Sequence, residues 1–359
     1  PEVAATIATR INLAAVRGDR LKLDEAEREL RQIVEESRRI NGAAHLNTVT
    51  AETRLGALLH ATSRRGEGRT LLEDALARTG DGTANDLPQV TTLVRRSYGV
   101  AMLAEGRIED AEKALALDVA VSRANYPGSV RLGDALRAHS AALTALGHYD
   151  QALRELDEGQ ALRRTALGAS APPAAMNAFR LEQARLALAR GDPARAMENL
   201  DAIAPPPGAA TLPLSVDELA ARILRAQALL QHERAADAES AARQALADIV
   251  RSPLRDKFQV LEAEAALRLG QAQQKQGNAR GARANLERAL ELRTAGDTAQ
   301  SPWLAEAQLA LASCLVDLGQ HDAARALLAR AGAIQGAHPE LGSHLRGPLH
   351  RIGARLASR

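Results

Sequence analysis

Three histidines near the end of the chain, His338, His344 and His350, are spaced six residues apart and raise the question of a metal site. On a helix, steps of six put successive side chains on different faces. The expectation is therefore three solvent-exposed histidines with no metal and no acidic or cysteine co-ligand. Cys314 is the only cysteine, which excludes an internal disulfide and a cysteine-based zinc centre. It lies between Leu311, Leu315 and Leu318 at helical spacing, so it reads as a packed thiol rather than a nucleophile. The glycines of "GEG" (Gly66 to Gly68) lack the following lysine that a phosphate loop needs. Gly-x-Ser-x-Gly, His-Glu-x-x-His and the protein-kinase signatures are all absent. No catalytic residue, cofactor or metal is expected, and the chain is not read as an enzyme.

The composition narrows the class further. Hydrophobic residues make up 46% of the 359, but aromatics only 2%, so burial must come from Ala, Leu, Ile and Val on closely packed helices. Of 46 basic residues only Lys22, Lys113, Lys257 and Lys275 are lysines. That arginine bias suggests a GC-rich bacterial genome. Against 44 acidic residues the net charge is +2, with both signs interspersed, which argues against a bulk nucleic-acid binder. No apolar run is long enough to span a membrane, so no membrane insertion is expected. Pro1 in place of Met leads to the expectation of a piece of a longer protein, cytoplasmic unless a membrane span upstream makes it periplasmic.

The elements that would position any site are set by a repeat. Small residues recur at Ala14, Gly56, Gly99, Ser140, Ala184, Ala226, Gly270 and Ala312, at intervals of 41 to 44 residues. Each has a small partner twelve residues on: Ala26, Gly68, Ala111, Ala152, Ala196, Ala238, Ala282 and Ala324. Four residues beyond stands a leucine, or Ala242 in the sixth unit. Small residues at fixed spacing let two helix axes cross closely, so each unit reads as a helical hairpin. Gly106, Gly147, Gly191, Gly277 and Gly319 mark turns between the paired helices, whereas the Arg17–Leu23 and Gln231–Arg234 turns have none at that point.

These pairs resemble the small positions of tetratricopeptide repeats (TPR). The long period, with "GAAHLNTVTAETRLG" (Gly42 to Gly56) and "GAHPELGSHL" (Gly336 to Leu345), resembles the kinesin-light-chain type with its Gly-x-x-His-Pro link. The resemblance implies an all-α, right-handed α-solenoid of about eight hairpins over residues 1–335, capped by a C-terminal helix in 336–359. The proline-rich 203–213 segment is either a hinge or a surface loop. Trp303, after Ser301-Pro302, reads as a packing residue at a helix start, and Arg346, Arg351, Arg355 and Arg359 as the solvated face of the cap.

In such a stack the first helix of each hairpin lines the concave face. The register puts Arg54, Arg96, Arg137 and Arg185 there in the first half of the chain, then Gln227, Gln271 and Gln274, with Glu264 and Glu306 nearer the rim. Guanidinium groups on a concave surface suit carboxylates, so a protein or peptide partner of acidic character is expected. The competing reading pairs these arginines with neighbouring acids. A non-catalytic binding scaffold is the leading function. The alternative is the regulatory or sensor region of a larger bacterial serine/threonine kinase or winged-helix transcription regulator.

Overall fold

The computed structural model describes residues 2–62, 64–80, 87–168, 172–204 and 214–358. Among them it holds seventeen α-helices and no strand. Eight antiparallel hairpins follow one another: α1 (Glu2–Asp19) with α2 (Leu23–Asn41), α3 (Leu46–Ala61) with α4 (Arg65–Arg78), α5 (Pro88–Glu105) with α6 (Ile108–Asn125), and α7 (Val130–Ala145) with α8 (Tyr149–Leu167). Then come α9 (Asn177–Ala189) with α10 (Pro193–Asp201), α11 (Val216–Gln231) with α12 (Ala235–Arg251), α13 (Gln259–Lys275) with α14 (Ala279–Gly296), and α15 (Pro302–Asp317) with α16 (His321–Ala337). A last helix, α17 (Ser343–Ala357), packs on α15 and α16. The expected all-α solenoid is what forms. The proline-rich segment is a different matter, since 205–213 lie outside the described residues.

Every small pair of the register is buried at a helix crossing. At Gly270 an added Cβ would meet Leu286 Cγ at 2.5 Å and the Ala282 carbonyl at 3.1 Å. At Gly68 it would meet the His60 nitrogen at 2.5 Å. The two small residues and the leucine four positions on thus form one knob-and-slot contact, repeated along the array. Cys314 is fully buried, donates to the Ala279 carbonyl at 3.2 Å, and burial pushes its thiol up to about 11. It is the packed thiol expected.

The marked turns carry glycine at φ between 73° and 81°. The two turns without one put Leu21 and Glu233 at φ 59°, a conformation that costs an L-residue roughly 1–2 kcal/mol. Leu21 has an offsetting contact: its side chain packs against the cluster of Leu219, Ile223 and Phe258, some five repeats away. Glu233 is exposed and has none of that kind.

Leu21 belongs to a seam along which the later hairpins close on the earlier ones. Lys257 Nζ lies 3.3 Å from Asp24, and Arg65 donates to Asp297 at 2.7 Å and to the Gly296 carbonyl at 2.8 Å. Trp303 Nε1 donates to the Leu103 carbonyl at 2.9 Å, so this residue is a strut between turns of the superhelix besides packing at a helix start that Ser301 caps. The Gly342 amide donates to the Ala145 carbonyl at 2.9 Å, and an added Cβ on Gly147 would meet Gly342 Cα at 2.9 Å. Ile108, Ala145 and Leu341 form an apolar cluster across it.

The seam corrects the reading of the terminal histidines. His338 is bonded to Glu109 at 3.0 Å and to the Gln300 carbonyl at 3.0 Å, and His344 Nδ1 lies 2.8 Å from the Tyr149 hydroxyl. Burial holds His344 down to about 4. Only His350 is exposed as expected. Arg355 also departs from the solvated face, donating to Ser313 and Asp317 at 2.9 and 2.5 Å, and Arg359 lies outside the described residues.

Two outcomes follow from this packing. Gly270→Leu should cost about 1–3 kcal/mol, read as a lower urea midpoint, because the leucine has no room at the crossing. Glu233→Gly should gain about 1 kcal/mol by relieving the left-handed backbone. Leu21→Gly should gain nothing in the same assay, since it also removes the seam contact.

Candidate functional site

The first helices of successive hairpins pack on one another along the array, and α1 to α3 face the start of α11 and the α13 region across the seam. There a cavity of 660 Å³ opens, lined by Ala14, Leu58, Leu21, Phe258, Val260 and Leu261, with Arg54, Asp217 and Lys257 supplying charge. Ser215 fixes the entry of α11 through a capping box: its hydroxyl accepts from the Glu218 amide, and the Glu218 carboxylate accepts from the Ser215 amide. Asp217 is therefore held in the first turn of α11, where the helix dipole favours a carboxylate.

Asp217 ties the cavity to first helices of neighbouring hairpins. Burial holds its carboxyl above the usual carboxylate range, and Arg137 on α7 and Arg185 on α9 pull the other way. Arg185 is held charged chiefly by Glu182, to which it donates at 2.6 Å, with Glu264 and Asp217 also in reach. Arg137 has a buried Nε with no hydrogen-bond partner among the described residues. Arg54 is exposed at the cavity. Arg137 and Arg185 thus act on one acid that lies outside the sequence stripe, and Arg54 lines the same cavity as that acid.

The other stripe residues stand apart from this cluster. Arg96 donates to Asp118 at 2.9 Å and lies 3.9 Å from Asp134, so it serves a fully buried carboxylate of its own hairpin. Gln271 accepts from Arg268 at 3.0 Å. Gln274 donates to Ser313 at 2.9 Å and to Asp317 at 2.6 Å, joining α13 to α15 and, through Arg355, to α17. Gln227 is half-buried on α11. Glu306 accepts from Arg268 at 2.7 Å, which with Arg293 holds its carboxyl low against burial.

The repeat register missed Asp217, Lys257 and Phe258, which enter the site from the far side of the seam. A second cavity, of 410 Å³, sits at the seam itself between Arg65, Arg69, Glu105, Arg293 and Asp297. Its charges are already matched: Arg69 donates to Glu105 at 2.9 Å, and Arg65 to Asp297. No described helix is long and apolar enough to cross a membrane.

Residues 261–335 match the tetratricopeptide-repeat family model, and the hairpins before them repeat the same crossing. No curated protein matches the chain in sequence. Among solved structures it is similar to a Rap protein complexed with Competence and Sporulation Factor, 13% identical, with 99% of each chain covered and a TM-score of 0.63. It is also similar to NprR in complex with its cognate peptide NprX, 12% identical, covering 97% of this chain and 82% of that one, TM-score 0.51. A structure of kinesin-light-chain, TPR-like repeats from Podosopora anserina is 20% identical over 55% of this chain and 92% of that one, TM-score 0.40. The chain is a TPR-type α-solenoid.

The Arg96–Asp118 pair carries a pH-dependent outcome. Burial raises the Asp118 carboxyl and Arg96 offsets it. Because its folded value stands above the unfolded one of about 3.9, its protonated form favours folding at low pH and this contribution is lost as pH rises. Arg96→Gln should enlarge that loss, costing about 3 kcal/mol at pH 7 and progressively less towards pH 4. Urea unfolding at both pH values reads the difference.

Proposed function

We propose that the chain is a binding scaffold that holds a peptide or an extended protein segment on its concave face. The observation that carries this reading is the 660 Å³ cavity, apolar in its lining and bordered by Arg54 and Asp217, with Arg137 and Arg185 near enough to act on the Asp217 carboxyl. An apolar side chain of the partner fits the cavity. A carboxylate beside it meets the guanidinium group of Arg54 at the cavity's edge. The NprR structure, in complex with its cognate peptide, shares the fold, which supports the class of ligand. Arg185, Gln227, Gln271 and Gln274 extend the surface along α9, α11 and α13, and residues 1–335 act as one binding unit with 336–359 as its cap.

Panning a displayed peptide library on the protein, then titrating the selected peptides by fluorescence polarisation, tests the proposal. Acidic peptides with an apolar anchor should emerge and should bind more weakly as salt rises, with screening over about 8–10 Å. Arg54→Glu combined with Arg137→Gln should weaken binding about tenfold or more and slow association, with helicity unchanged. Arg154→Glu, on the exposed face of α8, should bind like the parent. Equal affinity in parent and double variant would move the partner off this surface. Arg96 is unsuitable for charge reversal, because Asp118 would then be left buried beside a second carboxylate.

A further inference from the structure

We propose that Glu109, His338 and Glu340 form a site for one divalent transition-metal ion that clasps the third hairpin to the segment following α16. The three side chains come from opposite sides of the seam, and one ligand atom from each lies within 4.8 Å of the others. Nδ1 of His338 stands 3.0 Å from Glu109 Oε1 and 3.5 Å from Glu340 Oε1. Ligand bonds of roughly 2.0–2.1 Å in a tetrahedral shell put neighbouring donor atoms about 3.3 Å apart, so an ion fits with little movement.

The far side of the imidazole fixes which nitrogen could bind. Nε2 lies 3.0 Å from the Gln300 carbonyl, which can only accept, so Nε2 carries a proton. In the neutral ring the Nδ1 lone pair then points at two carboxylates, which are themselves in hydrogen-bond contact with each other, so three acceptors converge. Only a cation resolves that arrangement, either a proton or a metal. An N–H bonded to a backbone carbonyl behind the ring is also the outer-shell support that orients metal-ligating histidines. One imidazole with two carboxylates suits zinc, nickel or another first-row ion better than calcium or magnesium, which prefer an all-oxygen shell. The site is partly exposed, leaving room for a water as fourth ligand. An ion there would brace the seam beside Leu341 and Ile108 and so favour the closed array.

The experiment uses the untagged full chain, stripped with chelator and titrated with Zn²⁺ and with Ni²⁺ by calorimetry at pH 7.5, with thermal unfolding in parallel. One equivalent should bind, and zinc should raise the Tm. His338→Gln should lose that equivalent, Glu340→Gln, on an exposed link, should weaken it by about 10- to 100-fold, and His350→Gln should change nothing. Circular dichroism verifies that the variants fold, and Glu340→Gln keeps the test independent of any effect of His338 on the seam. Retention of the bound equivalent in both His338→Gln and Glu340→Gln would assign it to other surface groups and overturn the proposal. A parent that binds neither ion would overturn it as well, leaving an imidazolium shared between two carboxylates. Neither result touches the peptide reading, whose surface is elsewhere.

Discussion

The array depends on how closely two helices approach within each hairpin. Where Gly56 meets Gly68, the backbone carbonyl of one lies 3.0 Å from the position a Cβ on the other would take. Such an approach leaves no space for aromatic side chains and makes leucine at the next turn the filler, as Leu72, Leu115 and Leu286 are. A chain with 2% aromatics can then bury a continuous core, because alanine and glycine at the crossings bring backbone atoms themselves into contact. Once the crossing is fixed in each unit, the second helix of that unit is presented to the first helix of the next. The concave face follows as whatever the first helices have left over.

That local constraint is why the fold was legible in the sequence. The small pairs, the leucines behind them and the glycine turns all act within a single repeat, so spacing alone reveals them. Even the two exceptional turns were visible as departures, though not their meaning: Leu21 spends its backbone strain on a contact with Leu219 and Phe258. Hydrogen bonds across the seam join residues 193 to 232 apart and often end on backbone carbonyls, as at Trp303 to Leu103 and Thr298 to Glu105. A backbone acceptor leaves no trace in residue type. His338 and His344 escape the sequence for a related reason: their partners, Glu109 and Tyr149, are brought in by superhelical closure and not by helical spacing.

The arginines divide along the same line. Many bridge successive second helices, pairing with an acid one repeat away: Arg31 with Glu67 at 2.8 Å, Arg123 with Glu158 at 2.7 Å, Arg107 with Glu73 at 3.2 Å. Each such pair contributes little at an exposed site, but together they account for much of the arginine content without any ligand. Arg96 is likewise absorbed by Asp118. The register alone proposes Arg54, Arg137 and Arg185. It could not separate them from Arg96, because that distinction rests on which carboxylate is buried within reach.

The cavity and the seam share residues, and this joins binding to the shape of the array. Leu21 and Phe258 line the cavity while packing together across the seam, and Lys257 lines it while pairing with Asp24 of α2. An occupant of the cavity therefore touches both sides of the closure at once. A ligand shifts a conformational equilibrium only by its differential contacts with the two states. Here those contacts exist only while α1 and α3 stand against the start of α11 and the α13 region, so an occupant would favour the closed form. By the same linkage, whatever holds the seam shut at Trp303, His344 or His338 would raise the affinity of the cavity for its occupant. The strained turn at Leu21 then has a second use: it carries the first hairpin's wall of the cavity, with Ala14, Ala26 and Leu30, into contact with Leu219 and Phe258 across the seam.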